Sequence, residues 1–251
     1  FGILMDSEEA LIPRNTLDLV GHEHAEQLFL DAFNAEKIHH AWMITGPNGI
    51  GKATLAYKMG RFLLNNPPTD DQGPGLFGDV LEKTPLSSLE TDHDSQANHL
   101  INAGSNLDLM VIERTEDPKT GKMRSNILVD DVRKINAFFH KTSLDGGWRV
   151  AIVDTADEMN RNAANAILKI LEEPPKNSIL IILAHAPGRL LPTIKSRCRM
   201  LPLKPLKSQT VKEILQKNYP DKEENIIDGY VALSNGSPGY AISLMEHKGL
   251  K

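Results

Sequence analysis

The sequence predicts an α/β domain, a mainly parallel sheet covered by helices, followed by a small all-helical unit. Three observations carry this. Strand-sized and helix-sized apolar segments alternate from about residue 22 to residue 204, the order that parallel sheets require. The run Ser178 to Ala184 is almost wholly β-branched and aliphatic, as in strands buried on both faces. After Pro205 only helical periods remain.

The elements follow in order. A helix is expected from about His22 to Lys37, with Leu28, Phe29, Ala32 and Phe33 on one stripe. Ala41 to Thr45 is a short apolar strand, and Lys52 to Leu64 the helix after a glycine-rich turn. From Asn65 to Asn106, Pro-Pro, Gly-Pro-Gly and scattered Asp and Ser break the pattern, so 65–106 is expected to be an irregular insertion. Leu107 to Glu113 is the next strand, Asp117 to Ser125 a polar hairpin or loop. Asp130 and Asp131 open a helix reaching about His140, where their charge suits the positive helix end. Trp148 to Asp154 is a strand, Asn160 to Leu171 a helix stopped by Pro174 and Pro175. Arg199 to Leu203 is a last strand candidate. Ser208 to Asn218, Glu223 to Ser234 and Tyr240 to His247 are three helices. The expected division is an α/β domain over 1–205 and a helical lid over 206–251.

The 251 residues are enough for one large domain plus a small second. Apolar residues at 40% and charged residues at 24% are the mix of a soluble globular protein. The net charge of −5 excludes nucleic-acid binding by bulk charge, though not by a local basic patch. A lone cysteine, Cys198, excludes a disulfide framework and a multi-cysteine zinc site, and fits a reducing cytoplasm. No apolar run approaches the roughly 20 residues of a membrane span, and no signal-peptide pattern opens the chain, so no membrane partner is expected. The chain starts on Phe1, with Met5 as the expected native start.

Chemistry concentrates at Gly46-Pro47-Asn48-Gly49-Ile50-Gly51-Lys52, between a predicted strand and helix. Such a loop aims backbone N–H groups at a phosphate, at a helix N-terminus that favours negative charge. Lys52 supplies a positive point charge to the outer phosphates. A bare Gly-x4-Gly-Lys arises by chance in about one chain in fifteen of this length. The flanking strand and helix, with the third glycine at 49, favour phosphate cradling over an ordinary turn. A working loop places Ser or Thr after the Lys to hold Mg²⁺; here it is Ala53. Thr54 is rotated about 100° further round the helix and does not replace it.

Arg149-Val-Ala-Ile-Val153 leads to Asp154, the expected ligand of the Mg²⁺ water. An ATPase of this kind follows that Asp with a Glu as base; here Thr155 follows. Asp157 and Glu158 lie beyond, on another bearing, and are expected to be a solvated helix cap.

These segments, with Ala164-Asn-Ala-Ile-Leu-Lys169, Leu171-Glu-Glu-Pro-Pro175, Leu191-Pro-Thr-Ile194 and Ser196-Arg-Cys198, together resemble the AAA+ subunits of the bacterial DNA polymerase III clamp loader. The match runs from about His22 to Pro205 and extends to Gly236-Ser-Pro-Gly239 in the lid. The resemblance implies a P-loop AAA+ sheet, a helical lid, and a further helical collar domain beyond residue 251. It implies that Arg197 is an arginine finger given in trans to ATP on an adjacent subunit. Partners implied are the ATPase subunits and the delta subunit, and through them the sliding clamp and primed DNA.

Several positions depart from the hydrolysing members. The polar sensor falls in Ala184-His185-Ala186, where only His185 can answer a phosphate. Tyr240 stands where a lid arginine is expected, and 65–106 holds no cysteine, so the zinc module is absent. Every loss is on the hydrolysing side and the donated finger remains, the profile of the non-hydrolysing member of the family. Retained Lys52 leaves ATP or ADP bound without turnover open. The alternatives are an active ATP-hydrolysing motor subunit and an unrelated P-loop kinase.

Remaining signals are bland. The pairs His22/His24 and His39/His40 lack carboxylate or cysteine partners at useful spacing and are expected to serve packing or surface roles. Lys195, Arg197, Arg199, Lys204 and Lys207 cluster after the last strands, for an interface or solvent. Trp42, Trp148 and Cys198 are expected in or against the core.

Overall fold

The computed structural model describes residues 12–68, 84–141 and 146–246. Its elements are α1 (Glu23–Asn34), β1 (Ala41–Thr45), α2 (Lys52–Asn65), α3 (Gln96–Asn102), β2 (Leu109–Ile112), α4 (Val129–Phe139), β3 (Arg149–Val153), α5 (Arg161–Glu172), β4 (Ser178–Ala184), α6 (Pro192–Lys195), β5 (Arg199–Pro202), α7 (Ser208–Asn218), α8 (Glu224–Leu233) and α9 (Pro238–Glu246).

The five strands form one parallel sheet in the order β2-β3-β4-β1-β5. Alternation of side chains along the strands builds two cores. Met43, Ala151, Val153, Leu180 and Ile182 face α4 and α5, where Val132, Ile135 and Ile167 are buried. Trp42, Ile44, Ile152, Ile181 and Leu183 face α1 and α2, where Phe29, Leu55 and Phe62 are buried. This is the three-layer arrangement that continuous apolar strands imply. A third, smaller core of Val211, Leu215, Ile227, Tyr230 and Ala241 holds α7, α8 and α9 together.

Strand register fixes the site. Thr45 pairs with Ala184 and with Pro202, while Ile112 pairs with Val153. The carboxyl ends of β1, β4 and β5 are therefore level, while β3, with Val153 opposite Ile182, and β2 end two residues earlier. The loops after β1, β3 and β4 open on one edge, where parallel α/β sheets bind ligands.

One expectation is corrected. The span 65–106 is not irregular throughout, because α3 lies within it, and residues 69–83 fall outside the described residues. The Ser95 hydroxyl accepts the Asn98 N–H and caps α3, while Asn98 and Ile101 are buried. Seven residues are too few to show a helical period, so cap and tertiary packing, rather than pattern, make this helix. At 117–125, expected as a polar hairpin or loop, Glu116 is bridged to Met123 in antiparallel sense. Trp42 is fully buried, and Trp148 is half-buried with its indole N–H on the Asn66 carbonyl at 3.1 Å. His22 is buried with Nε2 2.8 Å from the Ile50 carbonyl, and His40 meets the Leu171 carbonyl at 3.1 Å, so both serve packing.

Candidate nucleotide site and the surface arginine

The loop from Gly46 to Lys52 turns from β1 into α2 with Gly46, Gly49 and Gly51 at positive φ. At Gly46 a side chain would also strike the Leu203 carbonyl, 2.7 Å from where its Cβ would stand. Lys52 is 4% exposed. Its ammonium donates to the Gly46 and Pro47 carbonyls at 2.9 and 2.7 Å. Burial pushes its pKa down to about 8, against the opposing charges of Asp154 and Asp157. The lysine is thus folded onto its own loop.

Asp154 stands at the end of β3. The Thr155 hydroxyl donates to Asp154 Oδ1 at 2.8 Å and lies 3.2 Å from His185 Nε2. Its one proton is spent on Asp154, so the oxygen accepts from an Nε2–H, the tautomer this network assigns. Burial, then nearby Lys52, lower the His185 pKa, against the opposing charges of Asp157 and Asp154. Its Nδ1 is buried without a hydrogen-bond partner among the described residues. Asp157 is not a solvated cap. Its carboxylate accepts the backbone N–H groups of His185 and Ala186 at 3.0 and 3.2 Å and ties the turn after β4 to the turn after β3. Glu158 pairs with Arg114 at 2.7 Å.

Sequence reasoning missed Glu113 and Arg114, which follow β2 and line the same cavity as Asp154. Burial, then the Asp154 charge, raise the Glu113 pKa, offset by Arg14. The neighbouring strands bring them in; no spacing in the chain announces it.

The lid closes directly on the loop. The Gly239 N–H donates to the Gly49 carbonyl at 2.8 Å, and the Ser237 hydroxyl to the Asn48 carbonyl at 2.6 Å. Lys217 of α7 pairs with Asp18 at 2.7 Å on the other side of the opening. Tyr240 is exposed. Between lid and sheet lies a cavity of about 770 Å³, lined by the backbone of 49–52 and by Ala53, Thr54, Asp154, Thr155 and His185. Its size and glycine-shaped wall fit the phosphates of a nucleotide. At the two positions expected to serve magnesium, Ala53 offers no oxygen and one Asp154 oxygen accepts from the Thr155 hydroxyl. Among the described residues no group of three or more His, Cys, Asp or Glu side chains is arranged to hold a metal ion.

Arg197 is not brought into this cavity. It lies between α6 and β5, with Nη1 donating to the Thr193 carbonyl at 3.0 Å and Nη2 2.9 Å from Glu172 Oε1. Its side chain is 36% exposed, against 51% for Glu172. Cys198, next along, packs against the core, and burial pushes its thiol up to about 12. Arg199 lies over the Trp42 ring at 4.9 Å, and Lys204 and Lys207 are exposed. No described helix is long and apolar enough to cross a membrane.

Residues 21–207 match the family described as DNA polymerase III, delta subunit. Among curated relatives, DNA polymerase III subunit delta' of Pseudomonas aeruginosa is 36% identical over 201 residues, 79% of this chain and 53% of that protein. Its counterpart in Escherichia coli K12 is 29% identical over 86% of this chain and 57% of its own length. DNA polymerase III subunit gamma/tau of Mycobacterium tuberculosis H37Rv is 28% identical over 93% of this chain and 37% of its own. The chain thus spans only about a third to three fifths of these relatives. Among solved structures, the RuvB Holliday junction branch migration motor of Thermotoga maritima superposes with a TM-score of 0.54 at 18% identity, over 93% of this chain and 64% of that one. At that identity the likeness is one of fold.

Proposed function

The chain belongs to the family described as DNA polymerase III, delta subunit, and from that premise we propose that it is a non-hydrolysing clamp-loader subunit of the delta-prime type. Its fold is the P-loop AAA+ sheet with a helical lid. In the proposed role it is a stator, giving Arg197 in trans to ATP held by an adjacent ATPase subunit while the sliding clamp is opened and placed on primed DNA. Its other direct partner is the delta subunit. ATP or ADP is held in its own cavity without turnover.

One observation carries this reading. The guanidinium of the Ser-Arg-Cys motif is at the surface and outside the chain's own phosphate cavity, while that cavity lacks the hydroxyl for magnesium and the acid after Asp154. A planar fork with permanent charge matches phosphate oxygens, and a finger supplied across an interface is worth roughly 10³–10⁵ in rate. The test is ATP turnover by a loader reconstituted with the full-length protein. Arg197→Ala is expected to cut turnover by orders of magnitude while the purified variant keeps its circular dichroism spectrum. Unchanged turnover would refute the role.

A further inference from the structure

We infer that Glu172 is a positioning residue for Arg197: its carboxylate holds the guanidinium in one orientation, with the remaining donors free for a phosphate. The inference rests on the function proposed above and concerns how the same arginine is presented.

Glu172 is the last residue of α5, because Glu173 precedes Pro174 and is pushed out of helical geometry. A carboxylate at a helix C-terminus opposes the helix dipole. Two in succession, Glu172 and Glu173, do nothing for the helix that bears them. Glu172 is offset by Arg197 at 2.9 Å. Glu173 makes no ion pair among the described residues, which leaves it as an internal control.

Both ends of the pair are anchored from below. Leu171, beside Glu172, is 3% exposed, and Ile194, three residues before Arg197, is 0% exposed. Cys198 on the other side of Arg197 packs against the same cluster as both. The backbone beneath each charged side chain is therefore set by one core, and the distance between Glu172 and Arg197 is a property of the fold. The Thr193 carbonyl, in the first turn of α6, completes the hold. Of five guanidinium N–H donors, one on Nη1 is engaged by the Thr193 carbonyl, while Glu172 meets Nη2 as an ion pair.

The strength of the pair decides between holding and locking. Exposed ion pairs are weak, equivalent to about 2- to 5-fold in a population. That is far too little to withhold the finger from a triphosphate, yet enough to narrow the rotamers of a long flexible side chain before the phosphate arrives. Glu172 thus favours the productive orientation and does not inhibit it.

The experiment is steady-state and single-turnover ATP hydrolysis by the reconstituted loader carrying the full-length chain. Glu172→Gln, which keeps the shape and removes the charge, is expected to lower kcat about 2- to 5-fold with KM for ATP unchanged. Glu172→Lys is expected to lower it further, and Glu173→Gln to leave it unchanged. In an Arg197→Ala background the Glu172 substitutions are expected to have no effect. Unchanged or faster turnover with Glu172→Gln, in a complex that Arg197→Ala does slow, overturns the positioning role and leaves the finger standing. A Glu172→Gln loss that persists without Arg197 is a structural effect and overturns it too. If Arg197→Ala itself changes nothing, the proposed function falls first.

Discussion

Replacing Gly239 by Ala puts a methyl group between the lid and the glycine-rich loop after β1. The added Cβ would stand 2.8 Å from both Cα and O of Gly49, where carbon atoms rest at about 3.5–4.0 Å. The obstacle is backbone, so no side chain can swing aside. If the lid stays docked, overpacking costs about 1–3 kcal/mol. If the lid lifts, it forfeits the Gly239-to-Gly49 and Ser237-to-Asn48 hydrogen bonds at 2.8 and 2.6 Å, about 1 kcal/mol each. The molecule takes the cheaper course, so the penalty is close to 2 kcal/mol on either route. That is about a 30-fold rise in the open population, and it stays local because the core of α7, α8 and α9 is self-contained. Native-state hydrogen exchange reads it directly: the amide of residue 239 is expected to exchange about 30-fold faster, with amides in β1 and β4 unchanged. An unaltered rate at residue 239 would refute the latch.

Other expectations concern single side chains. Asp157→Ala strips an anionic acceptor from the His185 and Ala186 N–H groups and is expected to cost about 2–4 kcal/mol in urea unfolding, with Asp157→Asn in between; a loss under 1 kcal/mol would contradict the assigned bonds. Because Lys52 has a pKa near 8 when folded and the ordinary 10.5 when unfolded, its burial penalty is complete below pH 8 and fades as pH rises toward 10.5. Stability relative to a Lys52→Met variant is therefore expected to improve between pH 7.5 and 9.5, and equal slopes would show that Lys52 titrates normally. Burial lifts Cys198 to about 12, leaving roughly one thiolate in ten thousand at pH 8. Iodoacetamide is expected to label it slowly in the native protein and readily in urea; rapid native labelling would place the thiol in solvent.

What the sequence discloses, and what it hides, follows from where each feature is encoded. β1 and β4 are legible to the residue, since a strand buried on both faces is a dense apolar run with abrupt polar ends. The glycine-rich turn after β1 is legible because positive φ selects glycine at 46, 49 and 51. α3 is hidden, because one serine cap and two buried side chains in seven residues leave no period to detect. Glu113 and Arg114 are hidden as site residues because strand register alone sets them beside Asp154. Asp157 reads as one more surface acid until the turn after β4 closes over it. The lid latch escapes notice because three of its four bonding groups belong to the backbone. Glu172 and Arg197 are both visible in their motifs, and only the fold makes them neighbours.

The central claim is that this chain's own cavity does not turn nucleotide over. Phosphate release from ATP and Mg²⁺ by the purified full-length protein, without any other subunit, tests it most directly. No release above the uncatalysed background is expected in the proposed role, in which Ala53 follows Lys52 in place of a hydroxyl residue and Thr155 follows Asp154 in place of an acid. Steady release that disappears with Lys52→Ala would contradict the account and make the chain an ATP-hydrolysing motor subunit.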